Sequence, residues 1–239
     1  MTSITSLAGQ VIIITGGTGR LGTGVTKKLL SCGAKVIVTY TKDAELEKLK
    51  AEIAGDETER FTGRKVDVTD PAAVQDLINA VMQDHKKIDG LVNLVGGWES
   101  KSITEITLED WQKQMNLNLT SAFLMSKAVL PHMIAAKYGR ILGVGAQSAI
   151  QASKEQAHYN VSKVGVMWLM ESISNEVKQH GITANAILPS SIQTLEEHAA
   201  KPGKGAWVSP AEVAELVAYL MSPESGATSG AKIPVYGKA

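Results

Sequence analysis

The chain has 239 residues, of which 44% are hydrophobic and 20% charged, with 24 lysines and arginines matched by 24 acidic side chains. An apolar fraction of this size supports a substantial core and excludes wholesale disorder. The charge balance argues against a nucleic-acid binder or a polybasic membrane tether, and a single cysteine, Cys32, excludes an internal disulfide framework and a cysteine-rich zinc site.

In chain order, residues 1–6 lack the charged and apolar regions of a secretory signal. No apolar stretch nears the length of a bilayer span, so a cytoplasmic protein with no membrane partner is expected. Short runs rich in Val and Ile then alternate with helical patterns to the end of the chain. The first half reads as strand 11–15, helix 20–31, strand 35–40, helix 43–54, strand 63–68 and helix 71–84. The second half reads as strand 90–95, helix 108–136, strand 140–145, helix 159–180, strand 183–188, helix 210–221 and strand 232–236. Thr69-Asp70 before Pro71, and Ser209 before Pro210, are helix starts: a capping residue, then proline in the first turn. Continuous apolar runs fit strands covered on both faces, and repeated β-α-β order implies right-handed crossovers. The expected fold is a doubly wound, seven-stranded parallel sheet with helices on both faces. No repeat, low-complexity block or linker divides the chain, so residues 1–239 are read as one domain.

The first strand runs straight into Thr15-Gly-Gly-Thr-Gly-Arg-Leu-Gly22 and then a helix. Gly17, Gly19 and Gly22 form a G-x-G-x-x-G in the strand–loop–helix setting that the mechanism needs. Glycines let the backbone turn tightly and approach a pyrophosphate, whose charge sits at the positive helix N-terminus. Dinucleotide binding is therefore expected. The second strand ends at Tyr40-Thr41-Lys42, where an NAD site usually places an acid against the ribose hydroxyls; no carboxylate stands there, and Asp43 comes late. Arg20 and Lys42 could meet a 2′-phosphate or be solvated surface cations. The expectation leans to NADP(H) over NAD(H).

Tyr159-Asn-Val-Ser-Lys163 opens a later helix, with tyrosine and lysine on one face. A free phenol has a pKa of about 10. A nearby ammonium would favour the phenolate and make Tyr159 a usable proton donor or acceptor.

Together these residues resemble the short-chain dehydrogenase/reductase family over essentially the whole chain. The resemblance implies a Rossmann fold, with Gly16, Gly17, Thr18, Gly19, Arg20, Leu21 and Gly22 as the cofactor loop and Tyr40 and Lys42 beside it. Asp67-Val68 looks like the family's adenine-contacting pair. Residues 91–96 are similar to its Asn-Asn-Ala-Gly element, with Asn93 and Gly96 retained. Asn118 falls where a helix asparagine completes the catalytic relay through water. Residues 188–194 look like the Pro-Gly-x-Ile-x-Thr segment bordering the nicotinamide, which adds Pro189, Ile192 and the phosphate-contacting Thr194. Residues 209–214 and 230–237 also match. The implied chemistry is hydride transfer between a nicotinamide and a small carbonyl or alcohol, with Tyr159, Lys163 and Asn118 catalytic and no metal.

The departures bear on activity. Arg20 holds the middle glycine position of the family's common loop. Ala146, thirteen residues before Tyr159, holds the place of the catalytic serine. Ser148 lies two residues on and would share a face with position 146 if the strand stayed extended. Thr194 is followed quickly by Ser209-Pro210, so a short substrate loop and an open or shallow site are expected. The five histidines lack metal-ligand spacing, and only His158, next to Tyr159, could intrude on the chemistry. The segment 164–170 is apolar almost all round its helix, which fits a subunit interface as well as core packing. A homo-oligomer, dimer or tetramer, is expected through helices 108–136 and 159–180. Two functions stay open: an active NAD(P)-linked oxidoreductase, or a degenerate relative acting as a nucleotide-binding sensor or assembly subunit.

Overall fold

In the computed structural model, which describes residues 5–200 and 206–237, strand β1 (Val11–Thr15) is buried along its whole length. It pairs in parallel with β2 (Lys35–Tyr40) on one side and β4 (Gly90–Asn93) on the other. Strands β3 (Phe61–Lys65), β5 (Gly139–Val144), β6 (Ile182–Pro189) and β9 (Lys232–Val235) complete a seven-stranded sheet of order β3-β2-β1-β4-β5-β6-β9. Every pairing is parallel. This is the doubly wound Rossmann arrangement expected. Beyond it lies a small pair, β7 (Ser191–Ile192) with β8 (Trp207–Val208), that the apolar pattern does not announce.

Alternation along the strands divides the core in two. Ile12 and Ile14 face α1 (Arg20–Ser31), α2 (Asp43–Glu52) and α8 (Pro210–Met221). Val11 and Ile13 face α3 (Pro71–His85), α5 (Ser121–Ala136) and α6 (Ala157–Val177). The chain winds outward from β1 to β3 and then crosses back to β4. That reversal opens a crevice at the strands' C-terminal ends, beside β1 and β4.

Both predicted helix starts form as drawn. The Asp70 side chain accepts from the Ala72 amide at 2.9 Å ahead of Pro71, and Ser209 makes a reciprocal cap with Glu212 ahead of Pro210. Other elements differ from expectation for local reasons. β3 ends at Lys65 rather than 68, because it is an edge strand and the chain leaves the sheet for a turn in which Asp67 accepts from Thr69. The helix expected over 108–136 is α4 (Leu108–Met115) and α5 joined through one π-helical turn, Asn116–Thr120. By length and composition this run is apolar enough to cross a membrane, contrary to the expectation from sequence. It instead sends Met125, Val129 and Met133 into the core, fully buried, against α3, β4 and β5. Helix α6 begins two residues before Tyr159, which places the tyrosine within the first turn.

Candidate active site

A cleft of about 1330 Å³ occupies the crevice. Its floor is the glycine loop. Gly16 takes a left-handed φ of +66°, and its amide donates to the Thr39 hydroxyl of β2 at 3.1 Å. A side chain at Gly17 would strike Val38 at 2.5 Å, and one at Gly22 would run into the Gly16 carbonyl. Gly19 differs: a β-carbon there meets nothing nearer than 3.4 Å. It is also the N-cap of α1, with no side chain capping it and no acid in the first turn. The positive helix end and its free amides therefore open onto the cleft, which fits a bound pyrophosphate.

At one end the cleft is lined by Tyr40, Thr41, Asp67, Val68 and a residue that sequence reasoning passed over, Glu45. The Glu45 carboxylate accepts from the Thr18 hydroxyl at 3.2 Å and from Lys42 at 3.0 Å. The Lys42 ammonium holds it below the usual carboxylate range. Asp67 is lowered too, by the Thr69 hydroxyl and then its amide.

At the other end stand Tyr159 and Lys163, which both line the cleft. Burial pushes the Tyr159 phenol up to about 12 and the Lys163 ammonium down to about 8. The expected lowering of the phenol by its neighbour does not occur. Lys163 Nζ donates to the Val144 carbonyl at 2.9 Å and lies 6.0 Å from the centre of the tyrosine ring, so desolvation dominates. The π-helical turn aims the buried Asn118 at the same place. Its Oδ1 accepts from the Gly97 amide at 2.8 Å, while Nδ2 donates to the Gly97 carbonyl and to Ser162 Oγ at 2.8 Å. Ser162, also missed from sequence, donates in turn to the Tyr159 carbonyl. Any residue larger than glycine at Gly96 would press a β-carbon to 2.8 Å from Asn118 and 3.0 Å from Lys163.

The family model described as short chain dehydrogenase matches residues 10–204. The chain belongs to this family. The dehydrogenase is 31% identical over 242 residues to a 3-oxoacyl-(acyl-carrier-protein) reductase, FabG, of Vibrio cholerae, covering 97% of this chain and 98% of that one. It is 29% identical to the 2,3-dihydroxy-2,3-dihydro-p-cumate dehydrogenase of Pseudomonas putida, covering 97% and 94%. Among solved structures it resembles levodione reductase at 25% identity and a TM-score of 0.87, covering 96% and 97%. By this kinship the protein is an NAD(P)-dependent oxidoreductase.

In the dehydrogenase the cleft wall contains Gly16, Thr18, Gly19, Arg20, Leu21, Gly22, Gly96, Pro189 and Ile192, but several residues expected there stand outside it. Gly17 packs behind the loop against β2. Asn93 is buried behind the wall, donating to Ser126 of α5 at 3.4 Å. Asn118 supports the wall from the second layer. The Thr194 hydroxyl accepts from the Glu197 amide at 3.1 Å and so starts α7 (Leu195–Ala200) instead of facing the cleft. Arg20 lines the wall but donates to the Ile192 carbonyl and pairs with Glu197 at 3.2 Å. Lys42 lies outside, on Glu45.

The condition attached to Ser148 fails. The chain is extended at Ala146 but turns into a 3-10 helix over Gln147–Ala149, so the two positions do not share a strand face. Ser148 nevertheless lines the cleft beside Ala146, and its buried hydroxyl has no hydrogen-bond partner among the described residues. His158 is fully buried, outside the wall, with Nε2 4.0 Å from Glu99. Residues 201–205, part of the short loop expected to cover a substrate, lie outside the described residues; on either side of them His198 stacks on Trp207.

Proposed function

We propose that this dehydrogenase interconverts a small carbonyl compound and its alcohol, with Tyr159 as the acid and base. The observation that carries the reading is the presence of Tyr159 and Lys163 in one cleft with the uncapped glycine-loop helix. The nicotinamide dinucleotide, when bound, supplies or accepts the hydride. Gly19, Leu21 and Gly22 would hold its pyrophosphate, Asp67 and Val68 would border the adenine, and Pro189 and Ile192 would border the nicotinamide. Tyr159 moves one proton at its phenolic oxygen, toward the carbonyl oxygen in reduction and away from the hydroxyl in oxidation. A phenol pushed up to about 12 is protonated at neutral pH, which suits reduction. Lys163 steadies the charge that Tyr159 carries after giving up its proton, and Asn118 fixes Gly97 and Ser162 around them. Tyr159→Phe is expected to abolish turnover and leave dinucleotide binding, read by calorimetry, nearly intact.

Ser148 is proposed to take part of the missing serine's role in steadying the substrate oxygen. Its support is the unpartnered hydroxyl in the cleft wall beside Ala146. Removing one such donor typically costs about 10²–10³ in rate. Ser148→Ala should lower activity toward that scale, and Ala146→Ser should raise it on small ketones or diketones. Silence of both would end the compensation idea.

Ala146, with the short stretch between Thr194 and Ser209, also favours a second reading, a nucleotide-binding sensor or assembly subunit without efficient turnover. A carbonyl panel with no Tyr159-dependent turnover in any variant would favour that alternative. On the cofactor, the expectation of NADP(H) rested on the missing acid at Tyr40 and on Arg20 and Lys42; in the structure these two cations pair with Glu197 and with Glu45. A homo-oligomer is proposed through α5 and α6, whose Phe123, Val161 and Trp168 are exposed. The single buried Cys32 suits a reducing, cytoplasmic setting.

A further inference from the structure

The end of the cleft beside β2 carries one carboxylate whose position neither α2 nor the glycine loop explains alone. Glu45 is the third residue of α2, where an acid is stabilised by the helix's positive end and needs no other reason to be there. Yet its side chain turns back across the cleft wall to the glycine loop, where Thr18 Oγ1 donates to Oε2, while Lys42 binds Oε1 from the other side. The carboxylate is thereby fixed between the loop that cradles a pyrophosphate and the strand end beside which the adenosine ribose sits in this fold. The cations around it are engaged elsewhere: Lys65 on Asp43, Arg64 on Asp84 and Arg20 on Glu197.

Resting on the proposed dinucleotide site, we propose that Glu45 selects the ribose: it accepts from a free 2′-hydroxyl and repels a 2′-phosphate, so the protein prefers NAD(H) to NADP(H). A carboxylate with an acceptor oxygen facing a diol gains a charge-assisted hydrogen bond. A phosphate in the same place brings two like charges together and must draw Lys42 away from Glu45 to be neutralised. Glu45 thus does from the first turn of a helix what an acid at the end of the strand does in other NAD sites.

The test is calorimetric titration of the full-length protein with NADH and with NADPH, for wild type, Glu45→Gln and Lys42→Met. Both side chains are exposed to solvent, and matched melting temperatures check the fold. NADH is expected to bind the wild type more tightly than NADPH. Glu45→Gln should move the ratio of the two dissociation constants about tenfold toward NADPH, the scale of one partly solvated charge contact. Lys42→Met, which leaves the carboxylate unneutralised, should move it the other way. Tighter binding of NADPH to the wild type, or one ratio shared by all three proteins, overturns the inference. Binding of neither dinucleotide would overturn the reading of the site on which it rests.

Discussion

Lys163 carries an ammonium into a place that water scarcely reaches: it is 7% exposed, with the Val144 carbonyl as its partner. Its folded pKa, about 8 against an ordinary 10.5, means that the native protein holds fewer protons than the unfolded chain between those values. This group's contribution to stability therefore improves as pH rises from 8 toward 10.5, and is at its worst below 8. Tyr159 has the opposite sign: its raised pKa makes stability fall as pH rises between 10 and 12. Lys163→Met should raise stability at pH 7 by about 1–2 kcal/mol while destroying activity. Thermal denaturation of the two proteins should show the gap narrowing between pH 8 and 10; a constant gap would mean that burial leaves the lysine's folded pKa at its ordinary value. The rate of carbonyl reduction should likewise decline as pH passes 8, because the ammonium near Tyr159 is then lost.

Elements whose ends carry turn chemistry were legible to the residue. β1, β2, α1 and α8 begin and end as read, because glycine or a capped proline marks them. β3 was displaced because an edge strand is half-buried and its apolar signal falls past its end, on Val66 and Val68. The π-helical turn was invisible: Asn116–Thr120 reads as ordinary helix, and only the tertiary demand to bring Asn118 to Gly97 and Ser162 distinguishes it. At the site, Tyr159, Lys163 and the glycine loop were found by motif. Glu45 is not legible as a cleft residue because it lies five positions past the end of β2, and only the first turn of α2 carries it back to Thr18. Gly96 links these elements, and Gly96→Ala should cost about 1–3 kcal/mol in stability and weaken dinucleotide binding, since Asn118 and Lys163 must both give way. Unchanged melting and binding would show that this junction is looser than its distances imply.

Across the whole molecule, the reversal of strand order puts the glycine loop, the ribose end and the Tyr159–Lys163 pair in one cleft, which makes a single hydride-transfer site the economical account. The outer face of α6 completes the picture. Trp168 is 57% exposed with Lys232 lying 3.8 Å over its ring, and Val161 is exposed on the same helix. Burial of this face against a second copy predicts an oligomeric mass by light scattering at micromolar concentration, and Trp168→Glu should shift it toward monomer; a monomeric wild type would contradict the interface. The central claim is tested most directly by label transfer. Dinucleotide deuterated at the reactive ring carbon is incubated with the protein and a panel of small neutral ketones, and the alcohols are examined by mass spectrometry. Wild type should place one deuterium on the carbinol carbon, and Tyr159→Phe should place none while still binding the dinucleotide. Absence of transfer by the wild type across the panel, with dinucleotide bound, would contradict the account.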